Sequence, residues 1–533
     1  MNIWIVTIGS SDVQLKTNEY WNDWYPSISS SCYKLPFTPT QNIPEADDPY
    51  RIAPRVLGMA YKAFSEEIWE NLEFPLLKEF TNKLQDKSID RIFLLLTDQM
   101  TEKSQVFDED DLDTLKHPHW QDTYQLKTIL CLYLKQKFPD TPCEVVLLDP
   151  LESGKGLDNW DAVLDLVSRK FKDLDIEVSE GEYAYVSHQA GTPALSSAVQ
   201  FCSLAKFGDR VRFLVSNEYN PELTDFLPSS SYLLGIKREQ AKKLLENYDY
   251  SGMKEVLKKQ IEEANKPKEK PKLEDEILKH ISYLLDAAIQ WNFAKFEDFA
   301  QALSSYSEQN LVKQNQAYLQ DVELAQTYLE NAERAKAYLQ NKDQYWWWTA
   351  YESAYLGLIR LEQQNIVEAF FHTFRAMEGL VGFWSADFYP DDIENRNGKI
   401  FAKFRNPSKL PQYLFQELEK LHQEDNKDEK GLFGDSLFKL FRESRPDLRD
   451  NQDLKTIWKS ARGMRNSQFH QLMGFKDEKA MFQAWGMSSR TSWEKRLLNC
   501  LNLIANQPQF KSIKDSSLMA QVHQELIKAI VSL

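Results

Sequence analysis

Short apolar runs alternate with longer amphipathic stretches through the first 225 residues of the chain. The apolar runs are only a few residues long, as in strands that are buried on both faces of a sheet. The longer stretches repeat apolar residues at spacings of three and four, which is typical of helices. Strand followed by helix predicts a doubly wound, Rossmann-like α/β domain with a parallel sheet. The predicted strands are residues 3–8, 92–96, 144–148, 183–186 and 211–215, and the predicted helices are residues 56–85, 122–138, 161–174 and 193–207.

Small and polar residues follow three of these strands. In a parallel sheet the ligand lies outside the carboxyl ends of the strands, so these clusters are the candidate binding residues. In the last cluster Gly191 permits a close backbone approach, and Thr192 can cap the following helix. Its free N-terminal amides suit an anion such as phosphate, although an ordinary capped helix has the same pattern. The clusters are Gly9-Ser10-Ser11, Thr97-Asp98-Gln99 and Gln189-Ala190-Gly191-Thr192.

Helical spacings replace the strand pattern from residue 230 onward. Residues 265–272 are charged and interrupted by prolines, which predicts an exposed joint. One later helix has an apolar stripe from Ile366 to Val381, and Arg375 and Glu378 lie off that stripe, where they can form an ion pair. The pattern predicts an all-α connector over residues 226–340 and an all-α domain over residues 341–533.

Composition excludes several classes of protein. The chain has 64 lysines and arginines against 80 acidic residues, a net charge of −16, so any contact with nucleic acid must be local. Five cysteines without a C-x-x-C pair predict reduced thiols and no zinc site. No G-x-G-x-x-G follows the first strand and no P-loop motif occurs, which disfavours a dinucleotide or NTP site. The chain also lacks an apolar run of about 18 residues and a secretion signal, so we expect a cytoplasmic protein.

The clearest candidate for catalysis is the segment from Arg465 to His470, with Asn466 directly after the arginine. Arginine stabilises a charged phosphorane, and imidazole moves protons near neutral pH, so this pair suits metal-free cleavage of RNA. An arginine followed by a histidine five positions on is a weak signal by itself. Its surroundings strengthen it, because residues 461–511 hold eight lysines and arginines against three acids. Residues 391–409 add five more basic residues, a candidate basic lip.

The N-terminal clusters, in this order and with Asp122-Thr123 opening a helix, resemble the CARF domain, the sensor of CRISPR-associated proteins. In that family two protomers form one pocket for a cyclic oligoadenylate. Gln189-Ala190 stands where a second glycine is common in the family. Some members also cleave their activator slowly, a reaction for which Ser11 would be the candidate here. The resemblance implies that the activator contacts Gly9, Ser10, Ser11, Thr97, Gln99, Gln189, Gly191 and Thr192.

The C-terminal motif resembles the HEPN ribonuclease signature, an arginine and a polar residue followed by a histidine, and the helix with Arg375 and Glu378 is similar to that family's early helix. Arg465, Asn466 and His470 would be the catalytic residues. The order of a CARF domain (1–225), connector (226–340) and HEPN domain (341–533) resembles an accessory ribonuclease of type III CRISPR systems.

The resemblance implies a homodimer that cleaves single-stranded RNA to 2′,3′-cyclic phosphate and 5′-OH ends without a metal or other cofactor. Cyclic tetra-adenylate is the expected activator. The alternatives are a non-catalytic nucleotide-sensing RNA-binding regulator, a metal-dependent DNA nuclease of the same sensor class, and a toxin-like HEPN enzyme that senses another nucleotide.

Overall fold

The computed structural model describes residues 1–41, 48–101, 104–105, 112–150, 154–216, 223–269, 271–308, 322–396, 398–465 and 474–533. The chain divides into two compact units, Met1–Leu234 and Gly235–Leu533. The strands are β1 (Ile3–Thr7), β2 (Gln14–Leu15), β3 (Leu72–Glu73), β4 (Arg91–Thr97), β5 (Met100–Thr101), β6 (Ser104–Gln105), β7 (Cys143–Leu148), β8 (Ala184–Ser187), β9 (Val211–Val215), β10 (Asp225–Pro228), β11 (Ile393–Arg396), β12 (Lys399–Lys403) and β13 (Glu429–Leu432).

Helices make up most of the remaining described chain. They are α1 (Trp21–Ile28), α2 (Pro54–Ala63), α3 (Ser65–Glu70), α4 (Pro75–Leu84), α5 (Lys127–Lys137), α6 (Trp160–Asp173), α7 (Pro193–Phe207), α8 (Ser230–Glu246), α9 (Tyr250–Ala264), α10 (Leu273–Asn292), α11 (Phe296–Glu308), α12 (Val322–Gln340), α13 (Trp348–Glu362), α14 (Ile366–Phe388), α15 (Gln412–Asp425), α16 (Asp435–Ser444), α17 (Gln452–Thr456), α18 (Glu478–Ala484), α19 (Arg490–Ala505), α20 (Ile513–Ser516) and α21 (Leu518–Ser532).

The first unit is built on a six-stranded sheet of order β10-β9-β8-β1-β4-β7. Every neighbouring pair is parallel except β10 with β9 at the edge. The five predicted strands and the predicted α/β class are therefore confirmed. The edge strand β10 was not predicted; it is short and ends in Pro228, a residue tolerated at the edge of a sheet because it cannot donate a ladder hydrogen bond.

The residues of β1 alternate between two hydrophobic cores because successive side chains of a strand point to opposite faces. Trp4 and Val6 pack into the core that contains residues of α2, α4 and α5. Ile3 and Ile5 pack into the core that contains residues of α6 and α7. With both faces covered, the carboxyl ends of the strands and the loops after them are the part of the sheet left for a ligand.

Residues 56–85 were predicted as one helical stretch, and this prediction is wrong in detail. They form α2, α3, the two-residue strand β3 and α4. Phe64 leaves the helical conformation between α2 and α3, and Pro75 begins α4. Proline has no N–H to donate inside a helix, so it is accommodated in the first turn.

The second unit has one continuous hydrophobic core that includes residues of both the predicted connector and the predicted C-terminal domain. Trp291 of α10, Phe370 of α14 and Trp493 of α19 all belong to it. Trp347 and Trp348 are also buried in this core. The boundary between connector and C-terminal domain at residue 340 stays a prediction.

A three-stranded antiparallel sheet, β11-β12-β13, interrupts the helices of this unit and was not predicted. It contains part of the candidate basic lip. Arg396 forms ion pairs with Glu394 and Glu429 at 2.9 and 2.8 Å, and Lys403 pairs with Glu394 at 2.5 Å. Acidic neighbours thus offset part of the positive charge that the sequence places in residues 391–409.

Two further findings concern expectations from composition. All five cysteines are free thiols, and Cys32, Cys202 and Cys500 are buried. Within the described ranges no helix is long and apolar enough to cross a membrane.

Candidate functional site

The loops that follow β1 and β8 meet at the carboxyl edge of the central sheet. The two strands are adjacent and parallel, with Ile5 opposite Val186. A Cβ atom built on Gly9 would lie 3.3 Å from the backbone nitrogen of Gly191. The structure therefore brings two of the predicted clusters together, Gly9-Ser10-Ser11 and Gly191-Thr192. Ser10 and Ser11 are half-buried.

The buried side chain of Asp12 stabilises the loop after β1. The Gly9 amide donates to Asp12 Oδ2 at 2.7 Å, and the Gln14 side chain donates to the Ser11 carbonyl at 2.8 Å. Burial raises the pKa of Asp12 to about 7, although the Gly9 hydrogen bond and the charge of Arg51 act in the opposite direction. Sequence reasoning did not select Asp12 as a functional residue, although it directly follows the predicted cluster.

The loop after β8 has the capped geometry that its sequence predicts. Gly191 has a φ of +97°, a conformation that favours glycine. Thr192 Oγ1 accepts from the Leu195 amide at 3.2 Å and donates to the Leu157 carbonyl at 2.5 Å. Gln189 is exposed and exchanges two hydrogen bonds with the backbone of Ser216. The N-terminus of α7 thus lies beside the Gly9 loop, with the polarity that an anion requires.

Thr97 and Gln99 lie inside the protein rather than at its surface; both are buried. The Thr97 amide donates to Thr123 Oγ1 at 3.0 Å, and the Thr123 amide donates to Thr97 Oγ1 at 3.1 Å. Gln99 donates to Asp122 from its backbone and its side chain, at 3.0 and 3.3 Å, and accepts from the Leu157 amide at 2.9 Å. Their contact with an activator stays a prediction, whereas these bonds show that both support the loops around them.

Sequence reasoning missed Arg55, which lies at the centre of this support. Its guanidinium pairs with Asp98 at 2.7 Å and with Asp122 at 3.0 Å, and its Nε donates to the His119 carbonyl at 2.8 Å. Burial raises the pKa of Asp122, while the Gln99 amide and the Arg55 charge oppose that shift. No pattern in the sequence points to Arg55, because its partners are separated from it by at least 43 residues.

The second site is a cavity of about 990 Å³ in the second unit, and Arg465 lines it. The helical conformation runs from α17 through a π-helical turn, Ile457–Ala461, to Arg465. A π-helical turn changes which side chains share a helix face, and such turns are frequent at functional sites. Arg462 and Arg465, one turn apart, both line the cavity. Asn466 and His470 lie outside the described residues, so of the three predicted catalytic residues only Arg465 is placed.

Arg465 and Arg462 each have an acidic and an aromatic neighbour. Arg465 lies 3.7 Å from the carboxylate of Glu378 and 5.6 Å from the ring centre of Phe374. Arg462 forms an ion pair with Asp435, and its guanidinium lies 5.1 Å from the ring centre of Trp458. Instead of the predicted pair with Arg375, the described contacts place Glu378 against Arg465. Arg375 is exposed and lines the same cavity.

The local excess of positive charge in residues 461–511 is smaller in the structure than in the sequence. Arg490 pairs with Glu362 and Glu494, and Arg496 pairs with Asp453 at 2.8 Å. An RNA chain would therefore meet arginines whose charge is already shared with carboxylates. Within the part of the chain that the structure describes, no group of three His, Cys, Asp or Glu residues is arranged to hold a metal ion.

The first unit contains a mostly parallel α/β sheet, and the second unit is predominantly helical. A similar solved structure is Csm6 from Enterococcus italicus, bound to cyclic hexa-2′-fluoro-hexa-dAMP. The match has a TM-score of 0.50 and 14% sequence identity, and it covers 99% of this chain and 100% of that one. No family model and no curated protein matches the sequence. The likeness confirms, at the level of the fold, the resemblance drawn from the sequence motifs.

Proposed function

We propose that this protein is a cyclic-oligoadenylate-activated endoribonuclease that cleaves single-stranded RNA in type III CRISPR antiviral defence. The observation that carries the proposal is the fold match over 99% of the chain, with Arg465 of the sequence motif lining a cavity of the second unit. Neither the fold match nor the sequence motif would suffice alone, because a fold hosts many functions and a short motif recurs by chance.

The activator site would lie where the loops after β1 and β8 meet. Ser10 and Ser11 offer hydroxyl groups, and the N-terminus of α7 offers amides to a phosphate. Gly191 leaves room for a ligand to approach the backbone. In a homodimer the same loops of two protomers would form one symmetric pocket, which matches the symmetry of a cyclic oligoadenylate. Cyclic tetra-adenylate is the first ring to test, and the six-membered ring is its direct competitor.

The proposed chemistry needs no metal. The RNA 2′-OH attacks the adjacent phosphorus, the bond from phosphorus to the 5′ oxygen breaks, and the products are a 2′,3′-cyclic phosphate and a 5′-OH. One proton leaves the nucleophile and one reaches the leaving oxygen. His470 of one protomer would accept the first, and His470 of its partner would donate the second. Arg465 would stabilise the pentacoordinate charge, and Asn466 would orient the phosphate.

The test is an RNase assay with a panel of cyclic oligoadenylates, with and without EDTA. We expect one ring to stimulate cleavage, EDTA to have no effect, and the product to carry a 2′,3′-cyclic phosphate. His470→Ala should abolish cleavage, and His422→Ala, which removes an exposed histidine paired with Asp428, should not. Stimulated RNA binding without cleavage would favour the non-catalytic regulator instead. Cleavage that no ring stimulates would reject the sensor function.

A further inference from the structure

An exposed phenylalanine lines the cavity that contains Arg462 and Arg465. The Phe433 side chain is 65% exposed. A single exposed apolar residue is ordinary on a protein surface, and its position decides whether it has a function. Phe433 is two residues from Asp435, the ion-pair partner of Arg462. The phenylalanine ring therefore shares one cavity with the arginines Arg375, Arg462 and Arg465.

The backbone of Phe433 is held by hydrogen bonds, and its exposed ring lies against Gly431. Its backbone amide donates to Ser436 Oγ at 2.7 Å, and the Ser436 amide donates back to the Phe433 carbonyl at 2.9 Å. A Cβ atom on Gly431 would lie 2.7 Å from the ring carbon Cε2, so the ring lies against Gly431 where any side chain would displace it. A ring fixed in this way loses little conformational freedom when a ligand stacks on it.

Arg462, which lines the cavity, lies against an aromatic pair that is not part of the cavity lining. Trp458 stacks on Phe438 with ring centres 3.5 Å apart, and Arg462 covers Trp458. Single-stranded nucleic acid is bound by this combination, in which cationic groups contact the phosphates and exposed aromatic faces stack on unpaired bases. The arginines that line the cavity favour a polyanion such as RNA over a folded protein partner.

We propose that Phe433 is a stacking platform for one unpaired nucleobase of the RNA, next to the phosphate that contacts Arg465. The inference rests on the proposed function, since it assumes that RNA enters this cavity. Phenylalanine has no hydrogen-bonding group, so the platform accepts every base and binds purines more tightly through their larger area. It contributes affinity and alignment, not recognition of a sequence.

The experiment uses full-length protein, saturated with the activating ring, and an uncleavable 2′-O-methyl oligonucleotide. 2-Aminopurine is placed at each position in turn, because its fluorescence falls when it stacks. We expect one position to be quenched by the wild type. Phe433→Ala and Phe433→Leu should lose the quenching and raise the dissociation constant about tenfold, within the range for one stacked base. Phe433→Trp should retain both.

Phe388→Ala is the matched control, because Phe388 is 48% exposed in the same unit and does not line the cavity. Equal quenching by Phe433→Ala and the wild type would overturn the inference. So would an equal affinity loss in the Phe388 variant. With cleavable RNA that is abasic at the quenched position, Phe433→Ala and the wild type should cleave equally well, because no base is left to stack. If the wild type binds the oligonucleotide and quenches 2-aminopurine but cleaves no RNA, the proposed function is rejected and the stacking role of Phe433 is retained.

Discussion

The carboxylate of Glu378 lies 3.7 Å from the guanidinium of Arg465, at the wall of the cavity in the second unit. The sequence predicts a catalytic role for Arg465 and an ion pair between Glu378 and Arg375. The two side chains are 26% and 36% exposed, so solvent weakens their attraction. A partly exposed pair of this kind contributes ~1 kcal/mol or less. A phosphate could therefore replace the carboxylate at small cost.

Glu378→Gln should lower the KM for RNA, because it removes a negative charge from the cavity that receives a polyanion. We expect a decrease of about two- to fivefold at low ionic strength, which fades when salt screens the remaining charges. The measurement is KM and kcat at two salt concentrations. Glu443→Gln is the control, since Glu443 lies 3.7 Å from Arg449 and does not line the cavity. A fall in kcat with unchanged KM would instead show that Glu378 positions Arg465.

Gly191→Ala should weaken the response to the activator without changing the RNA site. Gly191 has a φ of +97°, and a Cβ there would lie 2.9 Å from Leu195 Cδ2, so alanine must distort the loop. We expect the activator concentration for half-maximal cleavage to rise at least about tenfold, with kcat unchanged at saturation. Gly181→Ala is the matched control, because Gly181 has a φ of +85° but open space around it. If both variants shift the response equally, general backbone strain is the cause.

The five parallel strands of the central sheet and the two loops that meet at Gly9 and Gly191 could be predicted from the sequence. Their signals are local, since a buried run followed by glycine and a capped helix start are read from neighbouring residues. Gln99 shows the limit of this reasoning. Its position at a strand end was predicted, but whether its amide faces a ligand or Asp122 depends on residues distant in the chain.

What the sequence did not predict depends on long-range pairing. The strands β11 and β13 form one sheet with β12, although a helix lies between β12 and β13 in the chain. Arg55 meets Asp98 and Asp122 only once α2 packs near the end of β4. The contact of Glu378 with Arg465 likewise joins α14 to a segment that comes after α17 in the chain. Hydrophobic spacing contains no information about such polar pairings.

Arg55→Met should destabilise the first unit by about 3–5 kcal/mol, because it leaves Asp98 and Asp122 without their buried counter-ion. Arg55 is buried, and both carboxylates lie within 3.0 Å of it. Arg91→Met is the control, since Arg91 of β4 pairs with Glu144 at 2.6 Å and both side chains are more exposed to solvent than those of the Arg55 pairs. Loss of this pair should destabilise the unit by ~1 kcal/mol or less. Hydrogen exchange of peptides from β1 and β4 measures both. If the two variants lose the same free energy of unfolding, the buried Arg55 pairs stabilise the unit no more than the exposed Arg91 pair does.

A second buried pair makes the stability of the second unit depend on pH. Asn331 Nδ2 donates to Glu525 Oε1 at 2.7 Å, and both side chains are almost fully buried. Within the described residues, Asn331 Oδ1 and Glu525 Oε2 have no hydrogen-bond partner. Burial raises the pKa of Glu525 to about 8, against opposing effects of Asn331 and Lys528. A protonated carboxyl can donate to the free amide oxygen, whereas a carboxylate cannot.

Glu525→Gln should therefore stabilise the protein at pH 7 to 8 and have little effect near pH 4.5. The folded pKa lies above the unfolded one, so the wild-type carboxyl is fully stabilising below about pH 4.5 and loses that contribution as pH rises to about 8. Glutamine stays neutral and keeps one acceptor and one donor, so the variant should gain on the order of 3 kcal/mol at pH 7.

Hydrogen exchange of α12 and α21 peptides at pH 5 and 7.5, corrected for intrinsic rates, measures the difference. Glu330→Gln, an exposed neighbour of Asn331, should show no such pH dependence. A gain that is equal at both pH values would mean that Glu525 is already ionised in the folded protein at pH 5.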